Sequence, residues 1–153
     1  MELQAGANQY LTFLLADEEY GVDILRVQEI RGWDSVTKIP NTPDYVLGVI
    51  NLRGKVIPVM DIRTRFRLPY RDYDERTCII VVEIKDTPVG LVVDEVQEVM
   101  DIPEESVEPP PKATGKVNNF LQGVGKVGDD VKIILNVSQL LFDTEIEELS
   151  MAA

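Results

Sequence analysis

The chain of 153 residues is 44% hydrophobic and 27% charged, a balance that suits one soluble domain, or two small ones sharing a core, and excludes a disordered chain. A net charge of −12 argues against generic binding to nucleic acid or to an anionic membrane surface. With no histidine and only Cys78 as a thiol, imidazole-dependent catalysis, an internal disulfide and a cysteine-built zinc site are excluded, while carboxylate catalysis stays open.

No apolar run approaches the roughly 18 residues of a membrane span. Met1 to Asn8 shows no basic segment followed by an apolar one, so a cytoplasmic location without membrane insertion is expected. Taken in chain order, Tyr10 to Leu15 reads as a strand, Ala16 to Glu19 as a turn and Tyr20 to Ile24 as the return strand of a hairpin. Leu25-Arg26 interrupts the alternation and predicts a turn or bulge. In the strand that follows, Val27 and Glu29 share one face while Gln28 and Ile30 share the other. "NTPDYVLG" predicts a single helical turn with Thr42 as cap, Pro43 in the first position and Gly48 at the exit. Val49 to Leu52 and Val56 to Met60 then pair through Arg53-Gly54-Lys55.

The rest of the chain repeats this order. Shifted by 69 residues, Tyr10 to Phe13 falls on Ile79 to Val82, Asp17 on Asp86, Gly21 on Gly90, and Val27-Gln-Glu-Ile on Val96-Gln-Glu-Val. After a six-residue change of offset, Gly48-Val49 falls on Gly123-Val124, and Val56, Val59 and Ile62 fall on Val131, Ile134 and Val137. Five short strands per copy suit a small, partly closed barrel, the first copy spanning about 10–67 and the second about 78–142. "EPPPKATGK" (108–116) reads as an ordered surface loop within the second copy. Residues 138–151 read as helical, with capping-box spacing at Thr144 and Glu147, and 143–153 as an acidic helix or tail. Residues 1–8 and the last few are expected to be mobile.

Candidates for chemistry are few. Asp17, Glu18, Glu19, Asp94, Glu95, Glu98 and Asp101 read as solvated faces before a general acid–base pair. The basic residues Arg53, Lys55, Arg63, Arg65, Arg67 and Arg71 read either as a solvated surface that evens out charge or as a docking patch for an acidic partner. Cys78, among apolar neighbours, reads as a small buried hydrophobe. "GVGKVGDD" lacks phosphate-loop spacing, and its two aspartates would repel an anion. Gly54 fits the positive φ of a tight turn, but no turn geometry calls for Arg53. Its guanidinium fork suits a carboxylate, either within the chain or on a partner.

The segments "FLLADEEYGVDILRVQEIRG", "IPNTPDYVLGVINLRGKVIPVMDIR" and "GLVVDEVQEV" together resemble the CheW-type bacterial chemotaxis coupling proteins, over about Gln9 to Phe142. The resemblance implies two five-stranded SH3-like β-barrels from an internal duplication, sharing a hydrophobic core, with short helical turns and a C-terminal helix. It implies a non-enzymatic adaptor, without cofactor or metal, that couples the helical hairpin tips of chemoreceptors to the regulatory domain of the histidine kinase CheA. Such a protein is expected to be a monomer in solution and to join rings in receptor arrays. By position, receptor binding falls on Val27, Glu29, Ile30, Arg53, Val96 and Val99, and kinase binding on Gly48, Asn51, Arg53, Gly54, Cys78, Lys112 and Ala113. Lys112 and Ala113 stand where relatives can carry an acidic and an aromatic residue. An adaptor of a non-flagellar motility pathway fits the same motifs. A carboxylate-based barrel enzyme would instead need a polar pocket with convergent acids.

Overall fold

The computed structural model describes residues 8–110 and 120–140. The first half holds β1 (Gln9–Leu15), β2 (Glu18–Asp23), β3 (Val27–Gly32), β4 (Val46–Leu52) and β5 (Lys55–Asp61), then the short helix α1 (Ile62–Arg65). The second holds β6 (Cys78–Ile84), β7 (Thr87–Val93), β8 (Glu95–Asp101), β9 (Val107–Glu108), β10 (Leu121–Val127) and β11 (Asp130–Leu135). Mainly β structure with few helical turns is therefore what the chain forms.

Two sheets result, in the orders β8-β1-β2-β11-β10-β9 and β3-β6-β7-β5-β4. These are related by the repeat, but neither is built from one copy. The hairpin β1–β2 of the first copy is inserted between β8 and β11 of the second, and β6–β7 of the second between β3 and β5 of the first. The expectation that each copy curls into its own barrel is corrected: the copies exchange their leading hairpins. The departure of β3 from its own hairpin has a local cause. A turn of 3-10 helix, Ile24–Arg26, separates β2 from β3, so β3 leaves its own hairpin and pairs with β6. Of the two strands that flank each inserted hairpin, one runs antiparallel to it (β8 to β1, β3 to β6) and the other parallel, Ile133 beside Tyr20 and Val59 beside Gly90.

Burial follows this exchange. Alternation puts Leu11, Phe13 and Leu15 of β1 with Ile80, Val82 and Ile84 of β6 in one cluster shared by the two sheets. The opposite faces fill the curl of each sheet. Ile50, Leu52, Ile57, Val59, Ile79, Val81 and Val92 occupy the second, whereas among the described residues the first holds only Tyr10, Ile102 and Ile134 as buried members. The inequality is readable from the repeat. Lys132, the counterpart of Ile57, is buried and pairs with Glu19 at 2.5 Å, and Gly125 stands for Ile50.

The repeated Val-Gln-Glu marks matching irregularities. Val27 opposes Val82 but Glu29 opposes Val81, so Gln28 is an extra residue in β3. On β8, Val96 opposes Phe13 and Val99 opposes Leu11, which is the same one-residue insertion. A second matched pair lies between Val46 and Gly48 and between Leu121 and Gly123. Of the turn or bulge expected at Leu25-Arg26 the structure has the turn, and the first pair of bulges falls within the Val-Gln-Glu motif that follows.

The helical turn expected at residues 42–48 is also corrected. Val46 already belongs to β4, and Gly48 lies inside the strand at the bulge. Its role is close backbone approach: with φ +151°, a Cβ there would sit 2.1 Å from the carbonyl oxygen of Thr37. Gly123 does the same against the carbonyl of Glu108. Near the C-terminal end the described structure is one 3-10 turn, Val137–Gln139. The expected helix beyond residue 140, the N-terminal segment 1–7 and most of the proline-rich loop lie outside the described residues.

Candidate partner-docking surface

Both strands of the repeated motif are sheet edges, β3 beside β6 alone and β8 beside β1 alone. An open edge invites unwanted pairing, and the bulges blunt it. The bulge also changes which side chains share a face. Val27 and Ile30 oppose Val82 and Ile80, two shared-core residues, so they lie together on that side of β3. Glu29 and Arg31, opposite Val81 and Ile79, take the other. The alternation read from sequence, which sets Ile30 against Val27, is overturned by Gln28. On β8, Val96 and Val99 share the corresponding side. Val27 and Val96 each pack against the shared core, whereas Ile30 and Val99 are 45% and 47% exposed. Two equivalent apolar edges thus border one core.

The charged members cluster separately. Arg53 Nη1 donates to Glu29 Oε1 at 2.5 Å, and Arg31 Nε lies 4.0 Å from Glu29 Oε2. The pair joins opposite edges of the second sheet, which its curl brings together. Arg53 is thus paired within the chain, one of the two partners its fork suggested. Its backbone is the notable point. Arg53 has φ +52°, where the other copy has Gly128 at φ +62°. A left-handed conformation costs a side-chain-bearing residue roughly 1–2 kcal/mol. The turn would form more easily with glycine.

The neighbouring candidates have structural duties. Asn51 Oδ1 accepts from the Gly54 amide at 2.8 Å, closing the turn that Gly54 completes at φ +84°. Cys78 is half-buried at the start of β6, packed on the shared core and paired with Gly32 and Val93. Lys112 and Ala113 lie outside the described residues.

Sequence reasoning missed the most developed polar site. Asp94, at the junction of β7 and β8, receives Arg63 through Nε at 2.8 Å and Nη2 at 2.7 Å. It also accepts the Ala16 amide at 2.9 Å, and Arg63 Nη1 donates to the Pro69 carbonyl at 2.7 Å. Both side chains are about 90% buried (10% and 11% exposed). Burial pushes the Asp94 carboxyl up, but hydrogen bonds from Arg63 and Ala16 and the charges of Arg63 and Arg71 outweigh it and hold it below the ordinary value. Asp61 caps α1 by accepting the Arg63 amide, and receives the Tyr73 hydroxyl. Burial, then that bond, raises the Tyr73 hydroxyl far above the usual tyrosine range. Arg63 and Asp94 are therefore neither a solvated surface nor a docking patch. The missed signal lay in the repeat, where Leu25 stands opposite Asp94 and Ser138 opposite Arg63.

Among the described residues no group of acidic or thiol side chains could hold a metal, and no helix is long and apolar enough to cross a membrane. A model of the CheW-like domain family matches residues 9–145. The chain belongs to the CheW-like family. It is 42% identical to the chemotaxis protein CheW of Klebsiella aerogenes over 139 residues, covering 90% of this chain and 84% of that protein. A probable chemotaxis protein CheW of Rhizobium etli is 34% identical over 146 residues, covering 95% and 94%. The crystal structure of the scaffolding protein TtCheW from Thermoanaerobacter tengcongensis superposes with a TM-score of 0.83 at 44% identity, covering 87% of this chain and 91% of that one. This CheW-like chain is accordingly a chemotaxis scaffold of a non-enzymatic family.

Proposed function

We propose that this CheW-like scaffold couples the helical hairpin tips of chemoreceptors to the histidine kinase CheA on the cytoplasmic side of the membrane, as a monomer that joins receptor arrays through its partners. The receptor helices lie against Val27, Ile30, Val96 and Val99, which supply apolar area, while Glu29 and Arg53 set orientation by charge. The kinase docks on the region held by Gly48, Asn51, Gly54 and Cys78 and shares Arg53, with Lys112 and Ala113 as further contacts. The working unit is residues 9–142. The observation that carries this reading is Arg53, kept in a left-handed turn position where the other copy uses glycine, which is the mark of a side chain retained for contact.

Two substitutions test it. Ile30→Asp alters an exposed residue and is expected to leave thermal unfolding unchanged, yet to weaken capture of a purified receptor cytoplasmic fragment at least tenfold. Arg53→Gly relieves roughly 1–2 kcal/mol of backbone cost and removes an exposed ion pair worth about 0.2–1 kcal/mol. It is expected to hold or raise stability while reducing receptor capture and kinase activation. Circular dichroism and pull-down on each variant check both. A variant that folds normally and binds at full strength removes its residue from the surface.

A further inference from the structure

Where the two copies join, residues 66–77 form a connector that touches the ends of both edge strands. Gly32, Cys78 and Val93 stand in one row across the second sheet, closing β3, opening β6 and closing β7. The connector enters at the middle of that row. The exit of β3 lies on one side of it, and the junction of β7 with β8 on the other. Toward β8, Arg71 Nη1 donates to Asp94 Oδ2 at 3.5 Å, and Arg76 lies 4.0 Å from Glu95, the first residue of that strand.

Toward β3 the hold is aromatic. The Trp33 amide donates to the carbonyl of Thr77 at 3.0 Å, one bond beyond the β3–β6 ladder, and the Trp33 ring lies on Tyr73 with centroids 4.3 Å apart. Both rings are half-buried and pack on the cluster inside the curl of the second sheet. The Tyr73 hydroxyl donates to Asp61, which is buried at the end of β5 and fixed there by accepting the Arg63 amide at 2.8 Å. Among the described residues β3 has a strand neighbour on one side only, so this stack gives its exit the support that a second strand would supply. The connector thus grips β3 and β8 together, although the two strands belong to different sheets.

We propose that Tyr73 is a positioning residue for receptor docking. Through Trp33 it fixes the exit of β3 against β8, so that Val27 with Ile30 and Val96 with Val99 meet the receptor helices at one set spacing. This role rests on the docking surface proposed above. Capture of a purified receptor cytoplasmic fragment by the full chain tests it, together with acrylamide quenching of Trp33, the chain's one tryptophan. Tyr73→Leu keeps an apolar side chain but loses the ring and the hydroxyl. It is expected to weaken capture about fivefold and to raise quenching, while hydrogen exchange of β6 and β7 stays slow. Tyr73→Phe keeps the ring, loses the bond to Asp61, and is expected to fall between. Since Tyr73 acts through Trp33, Trp33→Leu combined with Tyr73→Leu should weaken capture no more than Trp33→Leu alone. Full capture by a folded Tyr73→Leu chain, or losses that add in the double variant, would each overturn the proposal. Where Tyr73→Leu exposes β6 and β7 to exchange, Tyr73→Phe carries the test, and full capture by it overturns the proposal. Ile30→Asp separates the two failures. Capture lost there but kept with Tyr73→Leu rejects the positioning role alone, whereas capture kept in both rejects the docking surface with it.

Discussion

Replacing Asp94 with alanine is expected to cost about 3–5 kcal/mol of folding stability, because it leaves the buried Arg63 guanidinium without its counter-charge. Asp94 also holds the Ala16 amide at the end of β1, so its loss loosens the first hairpin as well as the strap that carries Arg63 and Arg71 between the copies. The loss should not be read as the worth of the ion pair. Arg63→Met with Asp94→Leu removes both charges together, and is expected to recover part of the loss, since two apolar side chains do not face an unpaired charge. Urea unfolding of the single and double variants measures this; an additive double variant would mean that the two side chains act independently. The pH dependence has a definite sign. The folded-state pKa of Asp94 lies below its ordinary 3.8, so its contribution is fully present above that value and is lost as pH falls through the lower folded one. Asp94→Asn should therefore flatten that part of the acid limb while lowering stability at neutral pH.

Gly48→Ala is expected to destabilise by about 4 kcal/mol, combining overpacking with a backbone conformation that only glycine adopts readily. The obstacle is the carbonyl of Thr37, which is fixed from both sides: the Thr37 amide donates to Val49 and the Val49 amide donates back, at 2.9 and 2.8 Å. A side-chain obstacle could rotate away, but this one cannot. In a domain of this size such a loss lowers the melting temperature by about 10 °C. Gly32→Ala is the control, because a Cβ there meets nothing within 4 Å and stability should change by less than about 0.5 kcal/mol. The comparison matters for the kinase-binding role proposed near Gly48. If Gly48→Ala loses kinase binding only in proportion to its unfolded fraction, the glycine serves the strand and not the partner.

Much of this was legible in the sequence, for physical reasons that can be named. Strand positions followed from alternation in runs such as Tyr10 to Leu15, and from tight turns such as Ala16-Asp17, whose positive φ values are matched in the other copy by Lys85-Asp86. The duplication was visible because equivalent residues carry equivalent packing duties. Hidden features were those decided by partners far along the chain. Nothing local to Tyr10–Asp23 says that its neighbours are β8 and β11. Gln28 reads as an ordinary strand residue until Val81 and Val82 fix the register. The helical turn was wrongly expected because Thr42, Pro43 and Gly48 imitate caps, whereas Gly48 answers to the Thr37 carbonyl. Arg63 and Asp94 were taken for surface charges since their burial depends on the connector folding back over β7.

The exchange of hairpins sets the order in which a chain leaving the ribosome can become native. β1–β2 is complete once Asp23 is made, yet its two neighbouring strands begin only at Glu95 and Asp130. The apolar face of Leu11, Phe13 and Leu15 must wait for β6 before Ile80, Val82 and Ile84 can cover it, and its sheet neighbours come later still. Pairings this distant make for slow folding and prolonged exposure of sticky surface. They also leave room for error between molecules. Two nascent chains close together can each accept the other's leading hairpin, giving a dimer built wholly from native contacts. Crowded synthesis is then a condition under which this small protein is vulnerable.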